Sequence, residues 1–311
     1  MGNESVYIYG PVASRRLGSS LGVDLVPRKV CDYDCVYCQL GRTSLKTTRR
    51  DPYVAVDAVL GQLESRLAEE TGIDHITLAG SGEPTLNSRL HEVIAGIKRM
   101  SDLPVAVITN GSLLADEEVA AACAAADLVV PSLDAADEET FQAVNRPCEE
   151  INLRNVVEGL VSFREAFRGE IWLEVMLVKG FNAREEQVRG LSELIERISP
   201  DKVHLNTVVR PGAEPGARAV EEEELERLAR LLGKGTSAVP PLSSRGIAVS
   251  SLGARAQKAL HIIGRRPCTA DDVAKALRMN YTEAMKLLAE MERKGLLSSK
   301  ASGGKTFYVV P

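Results

Sequence analysis

Helical and extended patterns alternate along most of this chain, from residue 51 to residue 209. In the helical segments apolar residues recur three and four positions apart, and the segments between them are short runs rich in Val, Ile and Leu. Strands that alternate with helices of this length predict right-handed βαβ crossovers and a parallel sheet. The predicted helices are residues 52–69, 87–100, 116–125, 152–167 and 184–198. The predicted strands are residues 73–79, 105–109, 128–130, 171–178 and 203–209.

The number of these units limits the architecture. A further strand near residues 22–26 brings the count to about six βα units, fewer than the eight that close a full barrel. We therefore predict an α/β fold, a partial (β/α)6 barrel of the TIM type. A charged helix at residues 220–232 precedes a stretch rich in Gly, Ser and Pro, which has the composition of a linker. We predict a core domain at residues 1–232 and a linker at residues 233–253.

Residues 254–311 have a different pattern, of short helices followed by a hairpin. Thr269 and Asp272 have the spacing of a helix N-cap, and Gly295 is placed to end a helix. Three helices followed by a hairpin resemble a winged helix-turn-helix domain. The predicted helices are residues 255–263, 273–277 and 281–294, and the hairpin strands are residues 296–300 and 306–310.

The six cysteines do not have the distribution of a disulfide framework. Three of them fall within eight residues, which favours metal ligation in a reducing compartment. No apolar run approaches the ~18 residues of a membrane span, and the N-terminus lacks the pattern of a signal peptide. We expect a soluble, cytoplasmic protein without a membrane partner.

The charge of the chain is unevenly distributed. The net charge is −5, yet residues 255–305 contain 11 Lys and Arg against 5 Asp and Glu. A basic C-terminal segment is typical of proteins with a polyanionic partner. The third predicted helix of that segment has three acidic and three basic residues, and helices that bind the major groove are more basic than this. Nucleic acid and protein therefore both stay open as partners of the predicted winged helix.

The segment Cys31-Asp-Tyr-Asp-Cys35-Val-Tyr-Cys38 places three thiols on a short loop after the first predicted strand. Thiolates are soft ligands, and three of them on one loop can each bind one iron of a four-iron cubane. The alternative is a zinc site, for which a fourth Cys or His is expected at short spacing. The next candidates, His75 and Cys123, lie on other predicted elements.

Polar residues follow three successive predicted strands. They are the segments 80–84 (GSGEP), 109–111 (TNG) and 132–134 (SLD). Sites on parallel βα sheets lie at the carboxyl ends of the strands. Each segment alone is more typical of a turn than of a site, but their order at successive strand ends favours one common site.

The C-x3-C-x2-C loop, with an aromatic residue before its last Cys, resembles the cluster loop of the radical S-adenosylmethionine (SAM) superfamily. The resemblance implies a metal-binding oxidoreductase in which Cys31, Cys35 and Cys38 hold a [4Fe-4S] cluster and the fourth iron binds SAM. It also implies reductive cleavage of SAM to a 5′-deoxyadenosyl radical, which abstracts hydrogen from a substrate. An external flavodoxin or ferredoxin is the implied electron donor. The residues implied to contact SAM are Tyr37, Gly82, Glu83, Asn110, Ser132 and Asp134.

Further segments, among them YGPVASRRLG at residues 9–18 and NTVVRP at residues 206–211, resemble a prokaryotic branch of this superfamily. Its members are called Fe–S oxidoreductases and are related to wyosine-pathway tRNA enzymes. The wyosine enzymes carry additional N-terminal cysteines, and this sequence has no cysteine before Cys31. The resemblance identifies a branch and not a substrate.

Three function classes follow from these features. The first is a radical SAM enzyme that acts on a small molecule, peptide or protein recruited by the winged helix. The second is an RNA-modifying enzyme related to wyosine synthesis, and the third is a DNA-binding redox regulator. Arg15, Arg16 and Arg210 are candidates either for binding a phosphate or carboxylate or for ion pairs. Cys148, just past the third strand end, is a further candidate for the pocket.

Overall fold

The computed structural model describes residues 6–14, 16–233, 236–238, 252–277, 279 and 281–310. The strands are β1 Ile8–Ser14, β2 Gly18–Val23, β3 Val30–Cys31, β4 Leu45–Lys46, β5 His75–Leu78, β6 Val105–Thr109, β7 Leu128–Pro131, β8 Glu170–Leu177, β9 Lys202–Thr207, β10 Thr236–Ala238, β11 Ser298–Ser302 and β12 Lys305–Val309. The helices are α1 Val56–Glu69, α2 Leu90–Met100, α3 Glu117–Cys123, α4 Glu138–Val144, α5 Leu153–Ala166, α6 Glu185–Ile198, α7 Glu222–Leu232, α8 Leu252–Arg265, α9 Ala270–Ala276 and α10 Tyr281–Arg293.

One large sheet organises the N-terminal part of the chain. Its strand order is β1-β2-β5-β6-β7-β8-β9-β10, and every neighbouring pair is parallel except β1 with β2. The predicted α/β fold with a parallel sheet is confirmed. The sheet ends at β1 and β10 and does not close into a barrel.

The structure adds the short strands β3 and β4 to the predicted elements, and also β1, β10 and α4. Strand β1 was not predicted because the Gly10-Pro11 pair interrupts its pattern, and it pairs antiparallel to β2 at the sheet edge. Strand β10 lies within the predicted linker, residues 233–253, and pairs parallel to β9. Helix α4 has only seven residues, too few for a clear amphipathic period, and Asp137 caps it by accepting from the Thr140 N–H.

One face of strand β8 packs into the hydrophobic core, and the other face lines a cavity. Its residues alternate between fully buried and partly buried. Leu173 and Val175 belong to the hydrophobic core, whereas Glu174 and Met176 line a cavity on the opposite face. A strand in which only one face is packed into a core alternates in this way.

Residues 252–310 form a second, smaller core of three helices and the β11–β12 hairpin. The predicted N-cap at Thr269 is confirmed as a capping box with Asp272, and Gly295 lies in the left-handed region after α10, as predicted. Cys268 pairs with Tyr308 of β12 through two backbone hydrogen bonds. Helices α8 and α9 both contact β1 at the edge of the large sheet. None of the described helices is long and apolar enough to cross a membrane.

Candidate functional site

Three free thiols lie on the loop that joins β3 to β4. Cys31 ends β3, and Cys35 and Cys38 follow in a turn closed by a hydrogen bond from the Cys38 N–H to the Cys35 carbonyl, 3.1 Å. All three cysteines are partly buried and unbridged. The Val36 N–H donates to the Val144 carbonyl at 2.9 Å, which anchors the loop on the end of α4. The predicted cysteine loop is therefore anchored to α4 through its backbone.

Each sulfur has a nitrogen donor nearby. The Tyr33 N–H is 3.4 Å from Cys31 Sγ, Asn145 Nδ2 is 3.6 Å from Cys35 Sγ, and Lys29 Nζ is 3.2 Å from Cys38 Sγ. Hydrogen bonds and positive charge at sulfur stabilise thiolates and iron–sulfur clusters. These donors fit a cluster held by three thiolates.

Burial and nearby carboxylates make ionisation of two of these thiols costly without a metal. Burial raises the pKa of Cys31, and the negative charge of Asp32 raises it further. Burial likewise raises the pKa of Cys35, followed by the effect of Asp134. Iron ligation supplies the positive charge that such thiolates need. Among the described residues, no three His, Cys, Asp or Glu side chains are placed to ligate one single ion. A cubane cluster instead puts each thiolate on a different iron atom.

Glu83 lies at the end of β5 and is saturated with hydrogen bonds. Its carboxylate is 3% exposed and accepts from the Thr85 N–H and hydroxyl, from the Thr109 hydroxyl at 2.6 Å and from the Asn110 N–H at 2.8 Å. Burial raises its pKa to about 7, and the charge of Asp32 adds to the increase. The ends of β5 and β6 are thus joined through one buried carboxylate.

Asn110 connects this carboxylate to the cysteine loop. Its Nδ2 donates to the fully buried Asp32 at 2.5 Å and lies 3.9 Å from Cys31 Sγ. Ser112 donates its hydroxyl to the second oxygen of Asp32. Asp32, inside the cysteine motif, and Ser112 were not singled out from the sequence. The only local sequence feature that indicates the Asn110–Asp32 contact is the Asn–Gly pair at residues 110–111.

Asp134, just after β7, likewise connects a strand end to the cysteine loop. It accepts from the Tyr37 hydroxyl, from Asn145 Nδ2 at 2.7 Å and from the Met176 N–H at 2.8 Å. Asn145 also approaches Cys35, so one side chain contacts both the loop and the strand end. The structure thus brings Tyr37 and Asp134 together as a pair, and sequence reasoning missed Asn145 and Lys29.

Gly82 and Ser132 contribute mainly through the backbone. A Cβ at Gly82 would lie 1.9 Å from the Val30 carbonyl oxygen, so only glycine lets β3 approach the end of β5 this closely. Ser132 forms a parallel bridge with Glu174 of β8. All six residues that the sequence suggested for cofactor contacts thus lie at three neighbouring strand ends or on the cysteine loop.

The other candidate residues have structural partners. Cys123 and Cys268 are fully buried, and Cys148 is 6% exposed and packs in the main core. Arg16 pairs with Glu174, and Arg210 pairs with Asp272 of α9 at 3.0 Å. Arg15 lies outside the described residues.

A cavity of about 370 Å³ adjoins the strand ends on the inner face of the sheet. It reaches Gly80, Met176 and Asn206, at the ends of β5, β8 and β9. None of the six candidate cofactor residues is among the described residues that line it. Residues of α8 complete its wall, so it lies between the sheet and the C-terminal unit.

Residues 25–192 match the sequence profile described as the Radical SAM superfamily. The chain belongs to the radical SAM superfamily. It is therefore an enzyme whose cofactors are a [4Fe-4S] cluster and SAM. The matched residues include the cysteine loop and the ends of β5, β6 and β7.

Similar proteins of known sequence extend the comparison. A UPF0026 protein of Helicobacter pylori strain J99 is 31% identical over 97% of this chain and 96% of its own length, so the chain also belongs to the UPF0026 family. A protein of Brachyspira hyodysenteriae named GTPase Obg is 36% identical over 97% of this radical SAM protein. This chain spans only 45% of the length of that relative.

Solved structures agree on the fold. SuiB of Streptococcus suis, in a structure bound to S-adenosylmethionine, superposes on 67% of this chain with a TM-score of 0.51 at 15% identity. The superposed part is 46% of the length of SuiB. A radical SAM methyltransferase of Sphaerobacter thermophilus superposes on 70% of this chain with a TM-score of 0.51 at 17% identity and is covered over 66% of its length. At these identities the likeness establishes the fold of the radical SAM core.

Proposed function

We propose that Cys31, Cys35 and Cys38 hold the [4Fe-4S] cluster of this radical SAM enzyme, and that it cleaves SAM reductively to abstract hydrogen from a substrate in the adjoining cavity. The observation that carries the proposal is the set of three unbridged thiols, each with a nitrogen donor, on one loop beside three strand ends. When bound, the cluster and SAM together supply a 5′-deoxyadenosyl radical.

The strand-end residues are proposed to orient SAM against the cluster. Glu83, Asn110 and Asp134 are fixed by buried hydrogen bonds, so the backbone around them is held in one arrangement. We assign the remaining contacts to Tyr37, Gly82 and Ser132 on the same strand ends and loop. Restricting motion and excluding water around a radical are the contributions that a protein makes to such chemistry.

We further propose that residues 252–310 form a winged-helix domain that presents the substrate. Their helices and hairpin have the required order, and α8 forms part of the cavity wall. The chain's remaining cysteines are single and buried, and we therefore infer that an external flavodoxin or ferredoxin in the cytoplasm supplies the electron.

Anaerobic reconstitution tests the cluster assignment. Iron, sulfide and the electron paramagnetic resonance of the reduced protein are measured for the parent and for Cys31→Ala, Cys35→Ala and Cys38→Ala. The matched control is Cys123→Ala, because Cys123 is a fully buried cysteine in α3, outside the loop motif.

The parent and the control are expected to hold about four irons per chain, and each loop variant is expected to lose the [4Fe-4S] signal. Full iron content in any loop variant would remove that cysteine from the ligand set. A parent that loads zinc in place of iron would refute the proposal.

A further inference from the structure

The cavity between the sheet and the C-terminal unit is unusually rich in arginine. Four arginines line it, and Glu174 is the single acidic side chain among the described lining residues. Two of the four come from the core and two from the end of α8 and the residue after it. The lining arginines are Arg16, Arg210, Arg265 and Arg266.

Three of these guanidinium groups have a carboxylate partner. Arg16 pairs with Glu174, and both residues line the cavity. Arg265 pairs with Asp24 and also lies over the Tyr9 ring, 4.2 Å from its centroid. Each of these pairs balances one positive charge with one negative charge.

Arg210 is paired but not fully satisfied. Its Nη2 binds Asp272 at 3.0 Å, whereas its buried Nε has no hydrogen-bond partner, and the side chain is only 8% exposed. An unpartnered buried N–H of a charged group costs free energy unless a ligand or water accepts it. Burial, and then the positive charge of the nearby Arg266, lowers the pKa of Arg210.

Arg266 differs from the other three because no carboxylate among the described residues pairs with it. It lines both the main cavity and a second cavity of about 180 Å³. Gln39 also lines both cavities. The other charged residues that line the second cavity are Arg28 and Lys300. The described lining of the second cavity therefore has three positive charges and no acidic side chain.

We propose that Arg266 and the Nε of Arg210 bind an anionic group of the substrate, a carboxylate or a phosphate, and that the substrate enters through the second cavity. The inference rests on the proposed function and names the substrate class of that site. A guanidinium binds either anion through paired hydrogen bonds, and a cavity with one uncompensated positive charge favours one such group. Met176 lines the cavity and donates its backbone N–H to Asp134 at 2.8 Å, which links the cavity to one of the strand ends assigned to SAM.

Arginine-selective modification tests this site in the intact, cluster-loaded protein. Phenylglyoxal is added in chloride, in inorganic phosphate or in succinate at equal ionic strength, and the modified peptides are quantified by mass spectrometry. Arg168 is the internal control, because it is exposed and has no ion pair among the described residues. We expect phosphate or succinate to slow modification of Arg266 severalfold and to leave Arg168 unchanged.

A second measurement compares the affinity of the better anion for the parent, Arg266→Gln and Arg168→Gln. Loss of a charge-assisted contact is expected to weaken binding about tenfold in Arg266→Gln only. Protection by phosphate indicates a phosphate-bearing substrate, and protection by succinate indicates a carboxylate. Equal modification of Arg266 in all three salts, or equal affinity in the two variants, would overturn the inference. Neither measurement depends on SAM cleavage, so failure of the proposed function is recognised separately.

Discussion

Lys29 is a buried residue whose side chain contacts the cysteine loop. It has a φ of 62°, in the left-handed region, and its side chain is only 6% exposed. A non-glycine residue in that region carries strain that the surrounding structure must offset. Here the conformation places Nζ 3.2 Å from Cys38 Sγ. A cation held next to a proposed cluster ligand accounts for both the strain and the burial of the ammonium group.

Replacing Lys29 with a neutral residue is expected to change the reduction potential of the cluster and to leave the fold around it intact. Lys29→Gln is expected to lower the reduction potential of the cluster by tens of millivolts, roughly, because a nearby positive charge favours the reduced, more negative state. Arg28→Gln is the matched control, since Arg28 is exposed and its charge is screened by water. A redox titration followed by electron paramagnetic resonance measures both, and equal potentials for Lys29→Gln and the parent would contradict this role.

At the scale of elements, the contact between β3 and the end of β5 positions the first cysteine. The Glu83 N–H donates to the Val30 carbonyl at 3.1 Å, and Gly82 leaves room for that carbonyl. Cys31 directly follows Val30. A side chain at residue 82 is therefore expected to displace Cys31, a proposed cluster ligand, through its neighbour Val30.

Gly82→Ala is accordingly expected to reduce iron content after reconstitution and to destabilise the fold by about 1–3 kcal/mol, as overpacking against fixed backbone does. Gly216→Ala is the control, because a Cβ there meets no atom within 4 Å. Iron analysis and chemical denaturation measure the two effects. Normal iron content in Gly82→Ala would show that the loop tolerates displacement from β5.

The parallel strands and their helices were predictable because each has a clear local period. Strand β1 was not, since Gly10 and Pro11 break its pattern and its pairing with β2 is set by the edge of the sheet. The residues of the site likewise divide into those that the sequence predicts and those that it does not. The three thiols, Glu83 and Asp134 stand in short motifs, whereas the contact of Asp32 with Ser112 joins residues 80 positions apart. No local pattern reports such a contact.

At the scale of the whole molecule, two buried ion pairs attach the C-terminal unit to the sheet. Arg265 binds Asp24, and Arg210 binds Asp272. Burial alone raises the pKa of Asp272, but the Arg210 guanidinium and the hydrogen bonds from Thr269 outweigh it and hold the pKa below its usual value. A carboxylate with a lowered folded-state pKa stabilises the fold above its unfolded-state pKa of about 4.

Asp272→Asn is expected to lower the free energy of unfolding by about 3–5 kcal/mol at pH 7, because it leaves the buried Arg210 charge without its partner. The difference from the parent is expected to shrink as the pH falls below about 4 and Asp272 takes up a proton. Urea denaturation across this pH range measures it, with Asp271→Asn as the more exposed neighbour for control. A difference that stays constant down to pH 3 would contradict the ion-pair account.

A chain that generates a 5′-deoxyadenosyl radical at the cysteine loop forms 5′-deoxyadenosine from SAM. The most direct measurement is the amount of 5′-deoxyadenosine that the reconstituted protein forms from SAM after reduction with dithionite, compared with a variant in which Cys31, Cys35 and Cys38 are all Ala. We predict that the parent forms 5′-deoxyadenosine and that the triple variant forms none. A parent that holds four irons yet leaves SAM intact, or a triple variant as active as the parent, would contradict the account.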